Sequence, residues 1–255
     1  LKQYPNLKCV ASMGAGVDFI MADPDISEKY IITRVVDPML ANDMSEFVIA
    51  CIFSHLKNLH FYSQQECHKN WERKEYLRKK EVTIGIMGLG ELGSTLANDL
   101  NHLGFKVQGW ANSNKETIHT FVGKDELTNF LSSTSILVCL LPLTEETRNI
   151  LNRELFSKLP KNAYVINVAR GGHLVETDLL DMVNNGHLSG ASLDVFSKEP
   201  LPQDHPFWGH PKIQITPHIA SISSPSSVVP QILENYHRLT KGKQLKNEVS
   251  VSKGY

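Results

Sequence analysis

Residues 82–93 read Val82-Thr-Ile-Gly-Ile-Met87-Gly88-Leu89-Gly90-Glu91-Leu92-Gly93, and a helix-like stretch follows at 91–103, closed by Gly104. The apolar, β-branched run at 82–87 is strand-like. The G-x-G-x-x-G after it opens the helix. In that setting the first glycine allows a tight turn, the second admits a pyrophosphate close to the backbone, and the third lets helix pack on strand. The helix N-terminus adds N–H groups without intrahelical partners and a partial positive charge. A bound dinucleotide is therefore expected, with Gly88, Gly90, Glu91, Leu92 and Gly93 against its phosphates.

Working outward, strand-like runs recur at 106–110, 136–141, 163–168, 190–195 and 213–216, with helix-like stretches at 125–131, 153–159 and 176–185. Near-continuous apolar strands alternating with helices predict a parallel sheet covered on both faces. The expected class is α/β, a Rossmann-type doubly wound sheet of six strands. Upstream, strands at 7–12 and 30–35 around Gly14-Ala15-Gly16 belong to a second α/β unit. A helix begins at Asn42 or Asp43 and runs to about Tyr62. It is apolar on more than one face, which predicts burial on several sides, including against a second subunit. Residues 65–80 read as a charged surface connection. Another helix spans 226–241, with Pro230 in its first turn.

Charge and cysteine usage narrow the function classes. With 26 basic and 27 acidic residues there is no basic excess to attract nucleic acid or an anionic membrane. Cys9, Cys51, Cys67 and Cys139 are scattered without metal-ligand or redox spacing, so no metal is expected and a reducing cytoplasm is. The chain opens at Leu1 rather than Met, and part of the first α/β unit is expected to precede it.

In open α/β sheets ligands sit beyond the carboxyl ends of the strands. Three charged or titratable residues follow three strands here: Arg170 in Val-Ala-Arg-Gly-Gly, Glu199 in Lys-Glu-Pro, and His218 in Thr-Pro-His. Arg170 can hold a carboxylate or polarise a keto oxygen with a fork that lysine lacks. His218 can donate the proton that a developing alkoxide needs, and Glu199 can orient its ring. The ten other histidines, including His55, His60, His102 and His119, lack that setting and read as structural or exposed. The chemistry implied is 2-hydroxy-acid/2-keto-acid oxidoreduction.

Cofactor preference depends on the end of the second strand of this sheet. An NAD site places an acid about 20 residues past the glycines. Here the window is Trp110-Ala-Asn112-Ser113-Asn114-Lys115, with no acid before Glu116. Asn112, Ser113 and Lys115 suit a 2′-phosphate, so NADPH is favoured over NADH. Leu141-Pro142 and Thr147 carry the next loop across the cofactor face, and Asp194 can accept a hydrogen bond from the nicotinamide carboxamide. Val168, Ala169, Arg170, His218 and Ala220 complete the expected cofactor contacts.

These motifs resemble the D-isomer-specific 2-hydroxyacid dehydrogenase family, whose signatures end in Asn-Val-Ala-Arg-Gly, Asp-Val-Phe-x-x-Glu-Pro and Thr-Pro-His. They stand here at 167–171, 194–200 and 216–218. The resemblance implies a flavodoxin-like substrate domain, N-terminally incomplete in this chain, beside the nucleotide domain. It implies that Arg170 binds substrate, that Glu199 pairs with His218, and that His218 is the acid/base. It also makes Met13, Gly14, Ala15 and Gly16 a loop that receives the substrate carboxylate, and Met44-Ser45-Glu46 the start of a helix that builds a homodimer. The implied division is 1–41 substrate domain, 42–219 dinucleotide domain with the dimerisation helix, and 220–255 a C-terminal helix and tail returning to the substrate domain.

Within the family the chain is similar to the bacterial glyoxylate/hydroxypyruvate reductase A subgroup, on residues 83–88, 199–202, 215–220 and the terminal Lys253-Gly-Tyr255. That similarity implies reduction of glyoxylate and hydroxypyruvate with NADPH. The subgroup's arginine-rich run after the second strand is Asn-Ser-Asn-Lys here. The alternatives are another 2-hydroxyacid dehydrogenase, of D-lactate or phosphoglycerate type, and a nucleotide-sensing, corepressor-like binding protein.

Overall fold

The computed structural model describes residues 3–252 and Gly254, so Lys253 and Tyr255 of the terminal motif lie outside the described residues. Two strands, β1 (Cys9–Ala11) and β2 (Ile31–Thr33), form a small parallel sheet, with helix α1 (Asp18–Met21) between them. The large sheet contains β3 (Thr83–Met87), β4 (Lys106–Ala111), β5 (His119–Val122), β6 (Ile136–Cys139), β7 (Ala163–Asn167), β8 (Leu188–Leu193) and β9 (Ile213–Ile215). All seven are parallel, in the order β5-β4-β3-β6-β7-β8-β9. The order reverses between β3 and β6, which opens a crevice at their carboxyl ends where ligands bind in such sheets.

The expected count of six strands is corrected to seven. β5 extends the sheet beyond β4, pairing Gln108–Ala111 with His119–Val122. It has no fully buried residue, so it lacks the continuous apolar run by which the interior strands were read. Those strands are apolar because both faces are covered: β3, β6 and β7 are buried at every position. Helices α4 (Glu91–His102), α5 (Leu127–Ser132), α6 (Arg153–Ser157) and α7 (Glu176–Asn184) follow strands of this sheet. Two hydrophobic clusters result. One gathers Phe130, Phe156, Val165, Leu179 and Leu193. The other gathers Val48, Ile52, Ile84, Ile86, Leu96 and Ile166.

The long helix also differs from expectation. α2 spans Pro38–Leu56, with Asp37 as its cap: the Asp37 carboxylate accepts the Met39 N–H at 3.0 Å and Pro38 takes the first helical position. It stops short of Tyr62 because Asn58 turns left-handed (φ 55), and α3 (Leu59–Cys67) begins after it. Met44, Val48, Ile52 and Leu56 form one buried stripe, and Ser45 donates to Asp99 of α4 at 2.6 Å. The reverse face is half-buried or exposed within the chain, so burial on several sides is not seen in a single copy.

At the other end, α8 (Pro225–Thr240) is capped by Ser224. Pro230 is its sixth residue, not in the first turn as expected, and it removes one interior hydrogen bond. Beyond α8 the chain comes back to the small sheet. The Val249 N–H donates to the Ile32 carbonyl at 2.8 Å, and Arg34 N–H to the Asn247 carbonyl at 3.1 Å. Among the described residues no helix is long and apolar enough to cross a membrane.

Candidate active site

The three strands β7, β8 and β9 are neighbours, so their carboxyl ends bring Arg170, Glu199 and His218 to one edge. Glu199 Oε2 lies 2.7 Å from His218 Nδ1, and Glu199 Oε1 accepts the Phe196 N–H at 2.9 Å. A carboxylate only accepts hydrogen bonds, so Nδ1 carries a proton and Nε2 is the nitrogen left to face a reactant. Both side chains remain partly exposed, as access to a reactant requires.

The loop that delivers the imidazole is held from behind. His218 occupies left-handed backbone space (φ 55), a conformation uncommon outside glycine. Asp194, which is 1% exposed, stabilises it. One of its oxygens accepts from Thr216 Oγ1 at 2.6 Å and Ile219 N–H at 2.9 Å, and the other from Ala220 N–H at 2.8 Å. The Asp194 carbonyl takes the His218 N–H at 2.9 Å. Three of roughly four carboxylate acceptor sites are thus used on the loop, which leaves one for the carboxamide contact expected of Asp194.

Arg170 spans the two sheets. Its Nε donates to Asp18 of α1 at 2.9 Å and one terminal nitrogen to the Ala169 carbonyl at 2.7 Å. The other terminal nitrogen lies so close to Gly16 that a Cβ there would overlap it. The loop it touches is built by Ser12, whose buried hydroxyl accepts the Gly14 N–H and faces the Gly14 and Gly16 carbonyls at 3.1 and 3.0 Å. The Gly14 N–H is therefore committed to the loop itself, a correction to its expected use on a carboxylate. Among the described residues, the N–H groups of Ala15 and Gly16 meet no acceptor, so these two suit an anion beside the guanidinium. Met13 stands exposed at the loop's start.

Three contacts tie the loops after β7 and β8 together. Gly171 packs so tightly on the Phe196 carbonyl that any side chain there would collide with it. Glu176, the first residue of α7, accepts the Ser197 N–H at 3.1 Å and pairs with His205 Nε2 at 3.3 Å. Phe207 N–H donates to His205 Nδ1 at 3.3 Å, so the His205 proton sits on Nε2 and points at Glu176. Glu176 and His205 escaped the sequence reading, as did the pairing of Asp18, at the end of the expected substrate loop, with Arg170. Their signal is pairing between residues 21 to 152 positions apart, which no local motif carries.

On the cofactor side the residues fit a dinucleotide. At Gly90 a Cβ would meet nothing, so the backbone there is open to approach, whereas at Gly93 it would strike the Gly88 carbonyl. Glu91, Leu92 and Gly93 form the first turn of α4, with its N–H groups facing the crevice edge. Asn112 and Ser113 are exposed just past β4, and Lys115 is half-buried. Leu141 and Pro142 follow β6, and Thr147 closes their loop by donating to the Pro142 carbonyl at 2.6 Å and accepting the Thr144 N–H at 2.8 Å. Four expected contacts, Trp110, Val168, Ala169 and Ala220, turn their side chains into the core. The Trp110 indole donates to the Gly123 carbonyl at 2.7 Å. Trp110 lies in β4, whereas Val168, Ala169 and Ala220 lie just past strand ends, where their side chains pack into the two hydrophobic clusters.

The family described as "D-isomer specific 2-hydroxyacid dehydrogenase, NAD binding domain" matches residues 49–220. This chain belongs to that family. A glyoxylate/hydroxypyruvate reductase A of Escherichia fergusonii is 40% identical over 257 residues, covering 98% of this chain and 82% of the relative. Among solved structures, a family member from Xanthobacter autotrophicus Py2, in complex with NADPH and MES, superposes with a TM-score of 0.93 at 38% identity, covering 100% of this chain and 81% of that one. An NADPH-dependent glyoxylate/hydroxypyruvate reductase from Sinorhizobium meliloti, with NADP and sulfate, gives a TM-score of 0.92 at 38% identity, covering 98% and 81%. The 2-hydroxyacid dehydrogenase fold thus extends over both sheets of the chain.

Proposed function

We propose that this dehydrogenase reduces small 2-keto acids, glyoxylate and hydroxypyruvate first among them, with NADPH in preference to NADH. The observation that carries the reading is the Glu199–His218 pair at 2.7 Å on the same sheet edge as Arg170. The relatives' names and the NADPH and NADP bound in the neighbouring structures support the substrate and cofactor. When bound, the reduced nicotinamide supplies the hydride. The chain's residues do the rest. Arg170, with the Ala15 and Gly16 N–H groups, holds the keto acid's carboxylate and orients its carbonyl. His218, protonated on both ring nitrogens, gives its Nε2 proton to the developing alkoxide and is left neutral, and Glu199 steadies the imidazolium donor from Nδ1. Asn112, Ser113 and Lys115 receive the 2′-phosphate.

In this reading residues 1–41 and 220–255 form the substrate domain and 42–219 the nucleotide domain, which also lends Arg170, Glu199 and His218 to the keto acid. The enzyme works as a homodimer in the cytoplasm. The arm between α3 and β3 exposes Trp71, Tyr76 and Leu77, apolar surface that a second copy would cover. All four cysteines are free thiols, which suits a reducing compartment. The deciding experiment is an initial-rate panel of small keto acids with both nicotinamides, on a sample whose mass is measured by light scattering. Glyoxylate- and hydroxypyruvate-dependent oxidation of NADPH by a dimer is expected. NADPH binding without turnover of either acid would instead favour a nucleotide-sensing protein, and a monomer would remove the dimer.

A further inference from the structure

A buried histidine outside the Glu199 pair joins the two arms of the site. His173 ends the single turn Gly171–His173 that follows Arg170, and its ring is 0% exposed. Nδ1 lies 3.1 Å from the Arg170 carbonyl, and Nε2 lies 3.2 Å from the Pro142 carbonyl, across the sheet edge after β6. Carbonyl oxygens only accept, so each ring nitrogen needs a proton to bond. Burial, with the Arg170 charge beside it, holds the imidazole below its ordinary range although the bonds to the two carbonyls and Asp18 oppose it, so at neutral pH the ring has one proton to give. The Arg170 oxygen already receives two N–H groups, from Asn167 Nδ2 at 3.1 Å and from the His173 backbone at 3.2 Å. Among the described residues, the Pro142 oxygen otherwise receives only the Thr147 hydroxyl. The Pro142 carbonyl therefore has the unfilled lone pair, and the proton belongs on Nε2.

We propose that His173 is a positioning residue for keto-acid reduction: its Nε2–H bond to Pro142 clamps the loop carrying Arg170 to the loop crossing the cofactor face. This rests on the reductase reading above. The ring touches neither reactant. It sets the separation between the group that holds the keto acid and the loop that flanks the hydride donor. An unpaired carbonyl in a dry site costs more than a bond gained in water, so losing Nε2 lets the two loops part, and small misplacements cost rate steeply.

The test uses three variants of the full chain, measured for kcat, KM for glyoxylate, and NADPH Kd. His173→Gln places an amide nitrogen where Nε2 was, His173→Asn places one where Nδ1 was, and His173→Leu removes both. The clamp predicts turnover near the parent's for Gln, and a loss of at least about tenfold in kcat/KM for Asn and Leu, with NADPH Kd within about twofold for all three. Leu turning over like the parent, or Gln no better than Asn, overturns it. If the Leu variant does not fold, the Gln–Asn comparison still decides. A parent that binds NADPH but reduces neither keto acid overturns the reductase reading first, and the clamp falls with it.

Discussion

At the scale of single residues, the proposed proton donor and the proposed substrate clamp depend on different kinds of support. His218 relies on one carboxylate at 2.7 Å and a strained backbone held by Asp194. If it is the proton source proposed above, its replacement by alanine should lower kcat by about 10²–10⁴-fold. NADPH affinity, followed by nucleotide fluorescence, should be nearly unchanged, and a fully active variant would refute the assignment. Arg170 relies on shape. Gly16 makes room for the guanidinium, and Gly171 lets its loop lie on the Phe196 carbonyl. Because Phe196 N–H also holds Glu199, Gly171→Ala should disturb both loops at once. We expect a destabilisation of about 1–3 kcal/mol in urea unfolding, together with a kcat/KM loss of at least about tenfold. Kinetics and stability equal to the parent's would show that the contact can yield. Elsewhere burial simply silences reactive groups: it pushes the Cys139 thiol up to about 12 and the Cys51 thiol to about 11, which makes both poor nucleophiles at neutral pH.

At the scale of elements, each functional segment is the exit of a strand. Thr83–Met87 leads to the glycine turn, Lys106–Ala111 to Asn112 and Ser113, and Ala163–Asn167 to Arg170. The interior strands were legible because their apolar runs are nearly uninterrupted, and the glycine turn because its spacing is chemical. β5 was not, since a half-exposed edge strand of four residues has no such run. The break at Asn58 was likewise hidden: both sides of it are helical by composition, and only the local geometry shows the left-handed residue. The exit of β4 carries its own prediction. Asn112→Asp would bring a carboxylate beside a 2′-phosphate, so the NADPH:NADH ratio of kcat/KM should fall by about tenfold or more, roughly one close like-charge contact. An unaltered ratio would mean that the phosphate sits elsewhere.

At the scale of the whole molecule, acid should unfold the protein through histidines buried in neutral form. His55 of α2 stacks on Tyr164 of β7 at 3.9 Å, and burial lowers it from 6.5 to about 4. Between those values the unfolded chain binds the proton and the native ring does not, so stability rises with pH across that window. The contribution is about 3 kcal/mol, present above pH 6.5 and lost towards pH 4. His60, His173 and His210 are shifted the same way by burial. Thermal unfolding should therefore fall several degrees from pH 7 to pH 5, and His55→Phe, which keeps the stack, should shrink that difference; an equal drop in both proteins would exclude His55 as a source. By itself the sequence determined the parallel α/β class, the nucleotide loop and the Arg–Glu–His set, because apolar periodicity and glycine spacing are local properties of the chain. Only the tertiary structure decided which further groups meet. Arg170 finds Asp18 across 152 residues, His205 finds Glu176, and His173 finds Pro142. Such pairings depend on strand order, and strand order is set when the sheet packs, not by any stretch read alone.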